Sequence, residues 1–160
     1  MCCTSIIVRI SPRRRRYHCS SARRSNPSNL RHPPTRAYTD LEVMGGLWNC
    51  QSAVKKADSI SAYASLMTLH FLALTETWIT PENSATPASL STVYSFSHTP
   101  RPSGRGVGTG LLISPMWSYK VLPLEHLARS AFELHVVTVT IPIKLSIVVI
   151  YRPPGPLRDF

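Results

Sequence analysis

Three polar residues stand where they could contact a ligand, because each one ends or directly follows a short apolar segment. Glu76 comes after the apolar segment Phe71–Thr75, and Asn49 and Tyr151 end two others. In open α/β sheets, ligands bind beyond the carboxyl ends of the strands. If the first two strands are parallel neighbours, Asn49 stands beside Glu76, and an amide next to a carboxylate can orient a metal-bound ligand or a phosphate oxygen. The hydroxyl of Tyr151 could donate a hydrogen bond to a phosphate.

Each of these residues also has an ordinary structural explanation. A lone glutamate at the end of a strand is commonly a surface residue, and an asparagine in that position often bonds only to its own turn. A tyrosine that ends a strand commonly packs its ring and leaves its hydroxyl in water. The three signals are weak when each is taken separately.

A glycine-rich segment, GRGVGTG at residues 104–110, suggests a phosphate-binding loop. It lacks the Lys-Ser/Thr ending of a P-loop and the glycine spacing of a dinucleotide fingerprint, so neither motif is assigned. Backbone freedom at the entry to a strand explains the glycines, with Arg105 able to reach a phosphate. The six histidines show no metal-ligand spacing and receive no role.

These candidates need strands and helices to position them, and the apolar spacing predicts such elements. A strand is expected over residues 44–49, and Ser52 is expected to cap a helix whose apolar residues recur every three or four positions. Phe71–Thr75 follows as a strand covered on both faces. This order predicts a βαβ-like opening and a mixed α/β fold.

The second half of the chain alternates in the manner of strands. Short strands are predicted around residues 94–98, 111–114 and 117–122. Residues 131–141 and 145–151 should form a hairpin that turns near Pro142, with Phe132 and Glu133 on opposite faces. The second strand of the hairpin, a nearly unbroken apolar run, is expected to be buried.

The net charge of +10 is concentrated near the N-terminus. Residues 1–40 contain nine arginines and one acid, whereas residues 41–160 contain nine basic and seven acidic residues. With its Arg, Ser and Pro content, the segment 1–42 is predicted to be a disordered tail, and residues 43–160 the folded domain. The run Arg13, Arg14, Arg15 and Arg16 suits a nucleic-acid contact or a nuclear import signal, or is simply a solvated tail.

The composition also indicates a location. The four cysteines lack zinc-finger or disulfide-framework spacing, and no apolar run approaches the ~18 residues needed to span a bilayer. A nuclear or cytoplasmic protein is expected, with no membrane partner and no small-molecule cofactor. An Arg- and Ser-rich, acid-poor start also fits a mitochondrial transit peptide loosely.

Four segments occur in an order that resembles the endonuclease domain of non-LTR (LINE-type) retrotransposons, in the endonuclease/exonuclease/phosphatase family. These segments are LWNCQS (47–52), LALTETW (72–78), GRGVGTGLLIS (104–114) and VVIYRPP (148–154). The resemblance covers about residues 44–157, and it identifies this part as the N-terminal half of such a domain.

The resemblance implies a four-layer α/β sandwich, truncated here, that hydrolyses DNA phosphodiester bonds with Mg²⁺. Glu76 matches the family's metal-binding glutamate, Asn49 its active-site asparagine and Tyr151 its phosphate-contacting tyrosine. The family's later Gly-Asp-Phe-Asn-like and Ser-Asp-His-like motifs are absent from these 160 residues, so an incomplete and inactive site is expected. A non-catalytic nucleic-acid-binding protein acting through the Arg-rich tail is the alternative, and a small-molecule phosphatase is a third possibility.

Overall fold

The computed structural model of the chain describes residues 3–10, 41–100, 107–123 and 132–152. The described residues form eight strands and two helices. In chain order they are β1 (Cys3–Ile10), β2 (Leu41–Asn49), α1 (Ala57–Leu66), β3 (Phe71–Thr75), α2 (Ala85–Leu90), β4 (Ser95–Thr99), β5 (Thr109–Ile113), β6 (Ser118–Val121), β7 (Glu133–Ile141) and β8 (Leu145–Tyr151).

A five-stranded sheet has the strand order β1-β2-β3-β5-β4. Asn49 ends its strand β2, and Glu76 directly follows its strand β3. Strands β2 and β3 are parallel, and the other neighbouring pairs are antiparallel. Because α1 connects β2 to β3, the predicted βαβ-like opening is confirmed. The parallel register sets Asn49 beside Thr75, which brings the carboxyl ends of both strands to one edge.

A second sheet, with the order β6-β7-β8, is antiparallel throughout. One apolar cluster joins the helices to the first sheet and includes Ile60, Leu72 and Leu74. A second apolar cluster joins the two sheets and includes Leu111 and Val137. The α/β class predicted from the sequence is therefore confirmed, and the described residues form three layers: helices, sheet and sheet.

The start of the first helix differs from the prediction. The helix begins at Ala57, and its N-cap residue is Lys56 instead of Ser52. Ser52 has a φ of 81° instead of the β-region conformation of an N-cap, and the N–H groups of Ser52 and Ala53 donate to the carbonyl oxygens of Glu76 and Thr77. The predicted apolar face is nevertheless present, since Ala53, Ala57, Ile60 and Ala64 are buried.

Two other expectations differ from the structure. Within the tail predicted to be disordered, Cys3–Ile10 forms a strand along β2, and Leu41 and Glu42 belong to β2 itself. Residues 3–10 are rich in β-branched side chains, and the edge of β2 supplies the backbone partners that such a segment needs. The rest of the tail, residues 11–40, lies outside the described residues.

The strand β8 is buried on one face, whereas burial on both was predicted. Its Ile147 and Val149 lie in the core between the sheets, but Val148 and Ile150 are 51% and 63% exposed. An apolar run without polar alternation is typical of strands covered on both sides. In the part of the chain that the structure describes, only one face of β8 is covered.

Neither described helix has the length and apolar character of a membrane span, since α1 has 10 residues and α2 has 6.

Candidate functional site

The side chains of Asn49, Glu76 and Tyr151 meet at one point, although they come from three separate strand ends. The Nδ2 group of Asn49 donates to Oε1 of Glu76 at 2.9 Å. The hydroxyl of Tyr151 donates to the same oxygen at 2.6 Å. Glu76 is half-buried. The structure therefore brings together the three residues that the sequence singled out, with the carboxylate at the centre.

The backbone around Glu76 is held in an unusual conformation. Four non-glycine residues next to the site have positive φ angles, namely Gln51 (46°), Ser52 (81°), Glu76 (53°) and Trp78 (56°). Such conformations cost about 1 to 3 kcal/mol each and persist only where the surroundings enforce them. Here the loop after β2 donates backbone hydrogen bonds to the segment after β3, so the two loops restrain each other.

A short strap, defined as residues 107–108, restrains the same segment from its other side. The carbonyl oxygens of Val107 and Gly108 accept hydrogen bonds from the backbone N–H groups of Trp78 and Thr77, both at 3.0 Å. Gly108 has φ of 102°, and a Cβ there would collide with the Thr77 side chain. Gly108 is thus required by a close approach, which agrees with the backbone freedom predicted for the glycine-rich segment.

The second sheet supplies two residues to the site. Glu133 of β7 lies directly opposite Tyr151 of β8 in the antiparallel register. Oε2 of Glu133 accepts a hydrogen bond from the backbone N–H of Gly108 at 2.7 Å. The pKa of Tyr151 is raised from 10 to about 12, first by burial and then by its hydrogen bond to Glu76 and the charges of Glu76 and Glu133. Tyr151 therefore keeps its proton at neutral pH and acts as a donor.

Below the site, the core between the sheets ends in a row of polar side chains. Thr75, Thr109 and Thr99 are neighbours across β3, β5 and β4. Oγ1 of Thr99 lies 2.9 Å from Nδ1 of His135, which is only 2% exposed. The pKa of His135 is lowered to about 4 by burial and by the nearby His98. His135 is therefore neutral at physiological pH.

The side chains around Glu76 determine whether a divalent cation would fit at this position. Both hydrogen bonds that Glu76 receives within the described ranges converge on Oε1, which leaves Oε2 for a ligand. No group of three or more His, Cys, Asp or Glu residues suited to a metal occurs in those ranges. Magnesium commonly takes one or two carboxylates, completed by water and phosphate oxygens. One oriented carboxylate fits that pattern, with Glu76 as the protein ligand.

The remaining predicted site residues are all arginines. Arg105 and the run Arg13, Arg14, Arg15 and Arg16 lie outside the described residues. Sequence reasoning missed Glu133, although the hairpin carried a signal for it. Glu133 and Tyr151 are equidistant from Pro142 along the chain, and a symmetric hairpin around that turn places them opposite each other.

The fold and site define a two-sheet α/β protein with a carboxylate held by an amide and a phenol at the strand ends. No family profile and no curated protein matches the sequence. Among solved structures, the chain is similar to an AP endonuclease from Leishmania major, with 19% identity, a TM-score of 0.47, and coverage of 67% of this chain and 38% of that one.

The chain is also similar to TDP2 from Caenorhabditis elegans. For a truncated form of TDP2 the identity is 14% and the TM-score 0.45, with 67% of this chain and 43% of that chain covered. For another TDP2 structure the identity is 16% and the TM-score 0.43, with 63% and 32% covered. The chain spans less than half the length of each of these three structures.

Proposed function

We propose that this chain provides the Asn49, Glu76 and Tyr151 part of the active site of a Mg²⁺-dependent DNA endonuclease of the LINE type. The observation that carries the proposal is the convergence of two hydrogen bonds on Oε1 of Glu76. A carboxylate that only faced solvent would need no amide and no phenol to orient it. Two fixed donors on one oxygen direct the other oxygen toward a ligand, as outer partners do for metal-binding carboxylates.

Each of the three residues has a defined task in this proposal. Glu76 would hold the cation through its carboxylate, and Asn49 fixes the plane of that carboxylate. Tyr151 remains protonated because its pKa is about 12, and its single O–H, which donates to Glu76 here, would turn to a phosphate oxygen when a substrate enters the site. A bound Mg²⁺ would supply stabilisation of negative charge on the phosphate under attack. The strained backbone at Glu76 and Trp78 agrees with a preorganised site.

We expect these 160 residues alone to show no useful nicking activity. The motifs that would supply a catalytic aspartate and histidine by resemblance do not occur in them. General acid–base assistance is typically worth about 10² to 10⁴ in rate, and electrostatic stabilisation contributes a comparable factor. A supercoiled-plasmid assay with Mg²⁺ checks this expectation, and nicking that disappears in Glu76→Ala would show it to be wrong.

Cation binding tests the proposal independently of activity. Mn²⁺ can be titrated into the protein and the free ion measured by electron paramagnetic resonance. Glu76→Gln keeps the size of the side chain but removes its charge, so we expect Mn²⁺ affinity to fall by roughly tenfold or more, since a charged ligand oxygen is lost. Glu82→Gln, which changes an exposed glutamate in the loop after β3, is the matched control. Equal affinities in wild type, Glu76→Gln and Glu82→Gln would rule out the metal site.

The Arg-rich segment supports a second candidate function, which is nucleic-acid binding without catalysis. Nine of the chain's 18 basic residues lie in residues 1–40. Substituting Arg13, Arg14, Arg15 and Arg16 with glutamine tests this better than deleting the segment, because a deletion would also remove β1. If all four contact duplex phosphates, the slope of log affinity against log salt should become shallower by roughly three to four. An unchanged slope would exclude this contact.

A further inference from the structure

Glu133 faces the interior at the same end of the molecule as the site. Along β7, Val137 and Val139 belong to the core between the sheets, and strand alternation puts Glu133 on that same face. Its cross-strand partner is Tyr151, whose hydroxyl reaches Glu76. A carboxylate at this inward position needs a polar partner, because an unpaired charge is costly to remove from water.

The hydrogen bond from Gly108 links Glu133 to the segment that carries Glu76. Gly108 donates its N–H to Oε2 of Glu133 at 2.7 Å. Its carbonyl accepts from the N–H of Thr77, and the carbonyl of Val107 accepts from the N–H of Trp78. The strap at 107–108 is therefore fixed to the second sheet through Glu133 on one side and to residues 77–78 on the other.

This link matters because the segment beyond β3 is not held by regular pairing. The ladder between β3 and β5 ends at Thr75 and Thr109, one residue before Glu76. Beyond it, Glu76 and Trp78 have the positive φ angles 53° and 56°. Residues in such conformations need external restraints. The strap is one restraint, and Glu133 is what ties that strap to the other sheet.

From this geometry we propose that Glu133 is a positioning residue, which holds the Glu76 segment in its ligand-binding conformation through the N–H of Gly108. This inference rests on the proposed function for the role of Glu76. Glu133 need not touch the substrate or the cation. It acts by fixing the strap, so the required property is a hydrogen-bond acceptor at the right distance from Gly108.

Amide hydrogen exchange followed by NMR on the full chain tests the link directly. In Glu133→Ala, exchange at Gly108, Thr77 and Trp78 should accelerate by roughly tenfold or more, because a hydrogen bond to a charged acceptor is lost. Glu133→Gln retains an oxygen acceptor and should restore most of the protection. Glu42→Ala, which changes an exposed strand glutamate, should leave these amides unaffected. If Glu133→Ala does not fold, Glu133→Asp removes the reach of the side chain while keeping its charge.

Two results would overturn the proposal. One is unchanged exchange at Thr77 and Trp78 when Glu133 is shortened. The other is acceleration that extends equally to Leu72 and Leu74 in β3, which would mean general destabilisation. Mn²⁺ titration separates this proposal from the proposed function. If Mn²⁺ affinity falls in Glu76→Gln but is unchanged in Glu133→Ala, only the positioning role of Glu133 is refuted. If amide exchange accelerates locally in Glu133→Ala but the wild type binds no Mn²⁺, only the metal site is refuted.

Discussion

Replacing Tyr151 with phenylalanine should destabilise the protein by about 1 to 2 kcal/mol. The hydroxyl of Tyr151 donates to Oε1 of Glu76 at 2.6 Å, a length typical of hydrogen bonds to ionised acceptors. Such bonds contribute about 1.5 to 3 kcal/mol when deeply buried. The expected cost lies toward the lower end, because Glu76 is only half-buried and Asn49 still donates to the same oxygen. Urea unfolding monitored by tryptophan fluorescence measures the change, since Trp48 and Trp117 are buried.

Tyr119→Phe is the matched control for this measurement. Tyr119 is half-buried, packs against the core between the sheets and forms no side-chain hydrogen bond with the described residues, so its substitution should cost less than about 0.5 kcal/mol. A double-mutant cycle between Tyr151→Phe and Glu76→Ala should give a coupling free energy of about 1 kcal/mol. Equal effects of the two tyrosine substitutions, or a coupling of zero, would refute the claim that Tyr151 holds Glu76.

Three further predictions concern pH and backbone strain. The pKa of Tyr151 is raised from 10 to about 12, so its stabilising contribution is complete below pH 10 and is lost as the pH rises through 12. The difference in phenolate absorbance between wild type and Tyr151→Phe should show one tyrosine that ionises near pH 12. Because the pKa of His135 is lowered from 6.5 to about 4, its contribution is present above pH 6.5 and is lost as the pH falls through 4, and His135→Phe should flatten the acid side of a thermal-stability profile. Gly108→Ala should cost about 1 to 3 kcal/mol in chemical unfolding, because of its positive φ and the contact with Thr77; an unchanged midpoint would contradict the strain at that position.

The elements that follow local rules were predicted closely. Strand Phe71–Thr75 has the predicted bounds, as has Leu145–Tyr151, and the buried face of α1 agrees with the apolar spacing. The exceptions occur where distant backbone groups compete. Ser52 is a favourable N-cap by residue type, but its loop is hydrogen-bonded to the segment after β3, and Ser52 has a φ of 81°, outside the β-region conformation of an N-cap. A local pattern contains no information about that partner.

The site shows the same division. Residue types and strand ends were sufficient to select Asn49, Glu76 and Tyr151 as candidates, and the parallel pairing of β2 with β3 explains why Asn49 and Glu76 meet at one edge. The hydrogen bond from Tyr151 to the same carboxylate depends on how β8 packs over β3. Packing between sheets results from many contacts between residues far apart in sequence, and no local pattern specifies it.

The sequence by itself determined the alternating and apolar segments from residue 44 onward, and hence the α/β class, most of the strands and the candidate residues, since these depend on near neighbours along the chain. Only the tertiary structure decided that Tyr151 donates to Glu76 and that Glu133 holds Gly108, because these contacts join residues 75 and 25 positions apart. The tertiary structure also decided which face of β8 is buried, because a face is buried only where another part of the fold packs against it, and the sequence of the strand does not specify that packing.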